Sequence, residues 1–283
     1  MGAALARVLL DGGVPLTVWN RTAAKAEAFV EAGARFAVSP AEAVTRGEVV
    51  IVCVASYPAI DPLLQTPECV AALRGKVLVQ LTTGCPREAR TSAAWAARHG
   101  SSYLDGAILV TPGQVGGEAS ALLVAGDTDA FAKADPVLRR IGRHTTYLGD
   151  DAGAAAALDL AFLAHFFGGL LGFYHGARIM EAEGQDVAVL GEMVAEVAPA
   201  LGQIFRGDAG TIKRGTFAAT ESTLRNSATV VELLHRHACE AGLDRTFTSF
   251  ADASFRRGIA AGFAQEDAAA LIKILRVASH SAV

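Results

Sequence analysis

The chain has no surplus of basic residues: 25 Lys and Arg stand against 29 Asp and Glu, for a net charge of -4. No positive patch of the kind that recognises phosphate backbones is written into it, so nucleic acid is not an expected partner. Cysteine is also scarce. Cys53, Cys69, Cys85 and Cys239 are too scattered for a zinc site and contain no C-x-x-C pair, so they read as reduced thiols of a cytoplasmic protein. No secretory leader is expected either, because the apolar run from Ala3 to Leu10 carries Arg7 and leads into a turn. Only one long apolar run is evident, Gly149 to Gly184, GDDAGAAAALDLAFLAHFFGGLLGFYHGARIMEAEG. About 20 apolar residues can span a bilayer, but Asp159 and His165 lie mid-run, where charge is costly. No membrane span is expected.

What is present is an apolar chain, 52% hydrophobic and 283 residues long, enough for two domains. Before Gly149, short β-branched runs alternate with helical ones; after Gly184 no strand is evident. Met1 to Leu10 has helical period and ends at Asp11-Gly12-Gly13. A strand VPLTVWN follows, then a helix Ala23 to Ala32 that Thr22 caps. Strands Val49 to Val54 and Lys76 to Leu81 flank helical turns from Pro58 to Leu64, and a helix runs from Pro86 to Arg98. Strands Tyr103 to Leu109, Ala121 to Gly126 and Thr145 to Gly149, with a helix Asp129 to Ile141, complete the half. This alternation predicts βαβ units and a parallel sheet. Four helices are predicted beyond the central one: Val187 to Phe205, Thr220 to Ala241, Thr246 to Arg257 and Gln265 to Val277. The expected fold is an α/β Rossmann-like domain (1–149), a long interdomain helix (150–184) and an all-α domain (185–283).

A dinucleotide-binding βαβ unit rests its pyrophosphate on the first helix's N-terminus. Only Gly2 stands where that G-x-G-x-x-G loop should be, so the first strand and two glycines, roughly 8 to 12 residues, are expected upstream. At the second strand's end, NAD sites carry an acid for the ribose hydroxyls, whereas NADP sites carry cations for the 2′-phosphate. Here stand Asn20, Arg21 and Thr22, with Lys25 one turn on. This set predicts NADPH, the alternative being a capped helix start with solvated charges.

These residues carry a family resemblance across essentially the whole chain. MGAALARVLLDGGVPLTVWNRTAAKAE resembles the start of the 3-hydroxyacid dehydrogenase and 6-phosphogluconate dehydrogenase superfamily. YLDGAILVTP, TTYLGDDAG, ALDLAFL and GFYHGARIM together resemble NADPH-dependent imine reductases. The resemblance implies a homodimer with intertwined helical domains and an active site between one subunit's nucleotide domain and its partner's helical domain. Hydroxyacid dehydrogenases place a Lys in a K-x-x-N pattern on the central helix, and Ala156 to Leu160 contain none. Imine reductases carry Asp or Asn where Asp159 stands and a Tyr or Asp eight residues later, where this chain has Phe167. By the same resemblance Val54, Ala55 and Thr83 meet the cofactor or substrate, and Ile108 and Leu109 wall the pocket.

Phe167 cannot act as a general acid. Either the substrate arrives as an iminium, or water, Tyr174 or His165 supplies the proton, or catalysis is poor. The expected activity is NADPH-dependent reduction of a hydrophobic imine or iminium, with Asp159 as polar anchor and no metal. The alternatives are a 3-hydroxyacid or aldehyde reductase, or a non-catalytic NADP-binding dimer.

Overall fold

A computed structural model describes residues 1–276. Helix α1 (Gly2–Asp11) turns Leu5 and Leu9 into the core, as its period predicts, and Gly13, at φ +72°, supplies the left-handed turn that ends it. Strand β1 is only Thr17–Val18 and pairs in parallel with β2 (Arg35–Phe36). Between them a 3-10 turn, Ala23–Ala26, leads into α2 (Glu27–Glu31). The expected side-chain cap from Thr22 is not made. Instead Asn20 Oδ1 accepts the Thr22 N–H at 2.9 Å, bending the chain before the helix begins.

Helix α3 (Pro40–Arg46) had no counterpart in the sequence expectations. Ser39 Oγ accepts from the Glu42 N–H, and the Glu42 carboxylate accepts from the Val38 N–H, satisfying free donors at the helix start. At the other end the Lys76 ammonium donates to the carbonyls of Val44, Thr45 and Gly47 at 2.6–2.7 Å, where a cation is favoured. Then follow β3 (Val49–Val52), α4 (Asp61–Leu64), α5 (Pro67–Leu73), β4 (Val77–Gln80) and α6 (Pro86–Arg98). Strands β5 (Ser102–Ile108) and β6 (Ala121–Gly126), helix α7 (Thr128–Ile141) and β7 (His144–Tyr147) complete the sheet.

The main sheet has the order β3-β4-β5-β6-β7, and β1-β2 forms a separate two-stranded sheet. All pairs are parallel except β5 with β6, which corrects the expectation of a fully parallel sheet. The connection from Leu109 to Ser120 holds only a 3-10 turn, with no crossover helix to return the chain to the same end of the sheet. Alternation along β4 then sorts the core. Val77 and Val79 pack with α1 and α7 on one face, while Leu78 packs with Tyr103, Val44 and Ala96 on the other.

The chain divides into two compact units, Met1–His165 and Phe166 onward. The division falls inside α8 (Gly153–Ala182). The second unit continues with α9 (Val187–Arg214), α10 (Leu224–Glu240), α11 (Thr246–Ala260), a 3-10 turn at Ala268–Ala270 and α12 (Leu271–Arg276). The predicted helix ending at Phe205 runs nine residues further, to a left-handed Gly215. The one predicted from Gln265 is largely replaced by the 3-10 turn and α12, and its last residue, Val277, lies outside the described residues. Phe217, Ala269 and Ala270 form a small core, with the Lys273 ammonium 4.5 Å from the ring centres of both Phe217 and Phe263. The expectation of a single long apolar segment is also corrected. Both α8 and α9 are long and apolar enough to cross a bilayer, and α9 has no buried residue in this chain.

The close approach of β5 to β6 yields a stability prediction. Gly126 sits at φ +129°, and a Cβ there would run into the backbone of Tyr103 and lie 3.2 Å from Leu104 Cα. Gly126→Ala is expected to cost about 2 to 4 kcal/mol from backbone strain and overpacking together. Gly113→Ala, where no atom lies within 4 Å, serves as the control. Urea midpoints for the two variants check this, and equal midpoints would contradict it.

Candidate active site

Strands β3, β4 and β5 end at the same edge of the main sheet, next to the start of α1. Met1, Cys53, Val54, Ala55, Leu81, Thr83 and Ile108 there line a cavity of about 160 Å³. Ligands of open α/β sheets collect outside such carboxyl ends. Two buried side chains fix the rim. Gln80, 1% exposed, accepts the Thr82 N–H at 3.0 Å through Oε1, and Thr82 Oγ1 accepts the Val54 N–H at 3.0 Å. The loops after β3 and β4 are thereby locked to one another, leaving Thr83 outward. Burial pushes the Cys53 thiol up, so it faces the cavity as a neutral group despite the amino terminus nearby.

Beyond the loop after β4, the Tyr57 ring lies flush against Gly84, where any Cβ would collide with it. The Tyr57 hydroxyl donates to Asp105 Oδ1, the Tyr103 hydroxyl donates to the same oxygen at 3.3 Å, and the two hydroxyls lie 3.3 Å apart. Asp105 is 2% exposed. Desolvation raises its pKa to about 7, with a further upward push from the Asp159 carboxylate, against the lowering effect of the two tyrosines and the Ala156 N–H. Burial raises Asp159 too. Helix α8 is held at this place by its first residues. Asp151 Oδ1 accepts the Gly153 N–H, and Arg90 on α6 grips both Asp151 oxygens at 2.7 and 2.8 Å.

The structure thus brings together Val54, Ala55, Thr83 and Ile108 from the expected set, with Gly2 adjoining at the α1 start, its Cα-side space bounded by the Cys53 carbonyl. Leu109 is not among them. One residue after Ile108, it packs on the opposite face with Ala107, Leu123 and Ala155, beside the start of α8. Asn20, Arg21, Thr22 and Lys25 form an exposed group after β1. Among the described residues neither Arg21 nor Lys25 makes an ion pair. Asp159 is buried within the first unit, whereas Phe167 and Tyr174 are exposed in the second, at 56% and 57%. Sequence reasoning missed Tyr57, Gln80, Thr82 and Asp105 as members of the site. A glutamine interrupting the apolar strand KVLVQL, one residue before its end, was the available signal. A wider hollow of about 400 Å³, bordered by Val8, Gly12, Arg139 and Arg140, lies along α1 and α7. It gathers none of this chemistry.

Residues 1–149 match the model of the NAD binding domain of 6-phosphogluconate dehydrogenase. Residues 151–277 match the NADPH-dependent reductive aminase-like C-terminal domain. An NADPH-dependent reductive aminase of Aspergillus oryzae is 30% identical over 99% of this chain and 95% of its own length. Among solved structures, the imine reductase from Myxococcus stipitatus in complex with NADP+ superposes with a TM-score of 0.92 at 34% identity, covering 98% of this chain and 96% of the other. The reductive aminase from Aspergillus terreus in complex with NADPH4, cyclohexanone and allyl amine gives 0.90 at 31%, with the same coverage. Matched in order through both halves and over nearly its whole length, the chain belongs to the imine reductase and reductive aminase family.

Proposed function

We propose that this chain reduces a hydrophobic imine or iminium to an amine with NADPH, Asp159 anchoring the reacting nitrogen and a second copy of the chain completing the cleft. The observation that carries the reading is the cavity at the strand ends, walled by Thr83 and Ile108 and opening beside the N-terminus of α1. The donor set fits the cofactor. The bend made by Asn20 presents Arg21, Thr22 and Lys25 together with no carboxylate in the run, a combination suited to a 2′-phosphate and unsuited to bare ribose hydroxyls. Because the Thr22 hydroxyl is not used as a helix cap, it is available to donate to the same phosphate. Gly2 adds no side chain to crowd an anion at the start of α1, the end of a helix that attracts negative charge. When bound, the nicotinamide supplies a hydride. Thr83 orients what lies in the cavity, and the buried carboxyls behind the loop supply polarity that Phe167 cannot.

The second unit supports a dimer. Phe167, Leu171, Val189, Ile204 and Phe250 are each more than half exposed in the single chain. Apolar patches of this extent mark an interface. A second copy of the same unit is the occupant that needs no further partner, since α8 and α9 both offer long apolar faces.

Two outcomes follow. Arg21→Ala is expected to weaken NADPH binding by a factor of about 10 to 100, the loss of one charge-assisted contact, while NADH binding barely changes. Equal losses for both cofactors in a fluorescence titration would remove the 2′-phosphate assignment. The dimer should bury more than ~2,000 Å², an obligate interface, so dilution to nanomolar concentration should not release folded monomer. Light scattering that finds a stable monomer, or a protein that stays dispersed only in detergent, would contradict the dimer.

A further inference from the structure

The hollow between α1 and α7 carries chemistry that the active-site reading leaves unused. We propose that it binds a small anion bearing one or two phosphoryl groups, held by Arg139, Arg140 and Arg143. It shares no lining residue with the cavity at the strand ends, and the proposal does not rest on the imine-reduction reading.

In a chain of net charge -4, three arginines fall within the five residues Arg139-Arg140-Ile141-Gly142-Arg143. Ile141 turns into the core, while the three arginines are exposed and border one hollow of about 400 Å³, a volume within the range of small-molecule sites. Hydrogen bonds hold its frame. The Gly116 N–H donates to the Ile141 carbonyl at 2.9 Å, the Arg143 N–H donates to Ser120 Oγ at 3.0 Å, and the buried Ser120 hydroxyl donates to the Gly117 carbonyl at 2.6 Å. Gly116, at φ +75°, lets this loop approach α1 so closely that a Cβ there would lie 2.7 Å from a Val8 methyl. Carbonyls rather than carboxylates seat two of the guanidiniums. Arg140 Nη1 donates to the Gly12 carbonyl at 2.8 Å, and Arg143 Nε reaches the Gly116 carbonyl at 3.4 Å. Such a partner orients the fork but leaves its charge in place. Among the described residues neither arginine makes an ion pair, whereas Arg139 is matched by Asp135 at 2.7 Å. The last turn of α7 favours Arg139 and Arg140 at its negative end, but Arg143 lies beyond that end and borders the loop. A guanidinium holds an oxyanion through two parallel N–H bonds. A phosphoryl group offers three strong acceptor oxygens, where a carboxylate has two, and so suits several forks around one centre.

The test is calorimetric titration of the full chain with pyrophosphate, with and without saturating NADP+, at an ionic strength held constant with chloride. One pyrophosphate per chain should bind in both conditions, more tightly than orthophosphate or succinate. Arg143→Gln should weaken binding about 10-fold or more, the loss of one charge-assisted contact, and Arg143→Lys should recover only part of it, since an ammonium lacks the fork. Arg21→Ala should leave pyrophosphate binding as it is in the parent. Arg140→Gln should also weaken it, but Arg140 holds the end of α1 as well. Arg143→Gln leaves that contact intact, so it decides the matter if Arg140→Gln does not fold. Absence of binding to the parent would overturn the site, as would equal affinities for the parent and Arg143→Gln. Succinate or orthophosphate binding as tightly as pyrophosphate would overturn the ligand class. Pyrophosphate that binds only when NADP+ is absent, or that is lost in Arg21→Ala, would place the anion among the cofactor residues and remove the hollow from consideration.

Discussion

A carboxyl group taken out of water costs several kcal/mol unless hydrogen bonds or a proton compensate, and Asp105 is placed where the first unit can supply both. Its strand, β5, is central in the main sheet and presents Asp105 to the face on which α8 begins. Meeting that demand calls on much of the surrounding architecture. Tyr103 comes from two residues earlier on the same strand, Tyr57 from the turn after β3, and the Ala156 N–H from the first turns of α8. The exposed Arg90 and Asp151 pair then has a role beyond its own modest stabilisation, because it fixes where α8 starts and so where Asp159 falls. One loop, its conformation set by Gln80 and Thr82, meets the cavity through Thr83 and the Tyr57 ring through Gly84.

Much of this frame was legible in the sequence because it rests on strong periodicities. The helix from Pro86 to Arg98 and the strand from Ala121 to Gly126 begin and end where glycine, proline and alternation place them. The helix α3 was missed although Ser39-Pro40-Ala41-Glu42 spells a helix start. Its seven residues hold too few turns for a periodic signal, and the group that closes it, Lys76, lies 30 residues beyond Arg46. The antiparallel β5–β6 pair was missed because alternation alone does not carry direction. At the site, residues named from strand ends and family position mostly fell around the cavity. Leu109 lies on the other face from Ile108, since one residue on a strand reverses the face, and Tyr57 was invisible because its partner Asp105 is 48 residues away.

The second unit follows a different logic. Its helices α10 and α11 pack against one another, and a small core among its described residues is stitched by Lys273 over two phenyl rings. The apolar surface of α8 and α9 exceeds what that core absorbs: α9 is 28 residues long with none of them buried.

The contact between Gly84 and Tyr57 carries a consequence for how this site can vary. No side chain larger than hydrogen fits at 84 while the ring at 57 is in place. Removing the ring makes room at 84, but it also takes away the hydroxyl on Asp105. The two positions are therefore epistatic in one direction. A change at 84 is admissible only after one at 57, and the change at 57 must first be tolerated by the buried acid. A lineage can leave this arrangement only through an intermediate whose carboxyl has lost a partner, so the ordering of single steps, more than the fitness of any final pair, is what holds Gly84 and Tyr57 together.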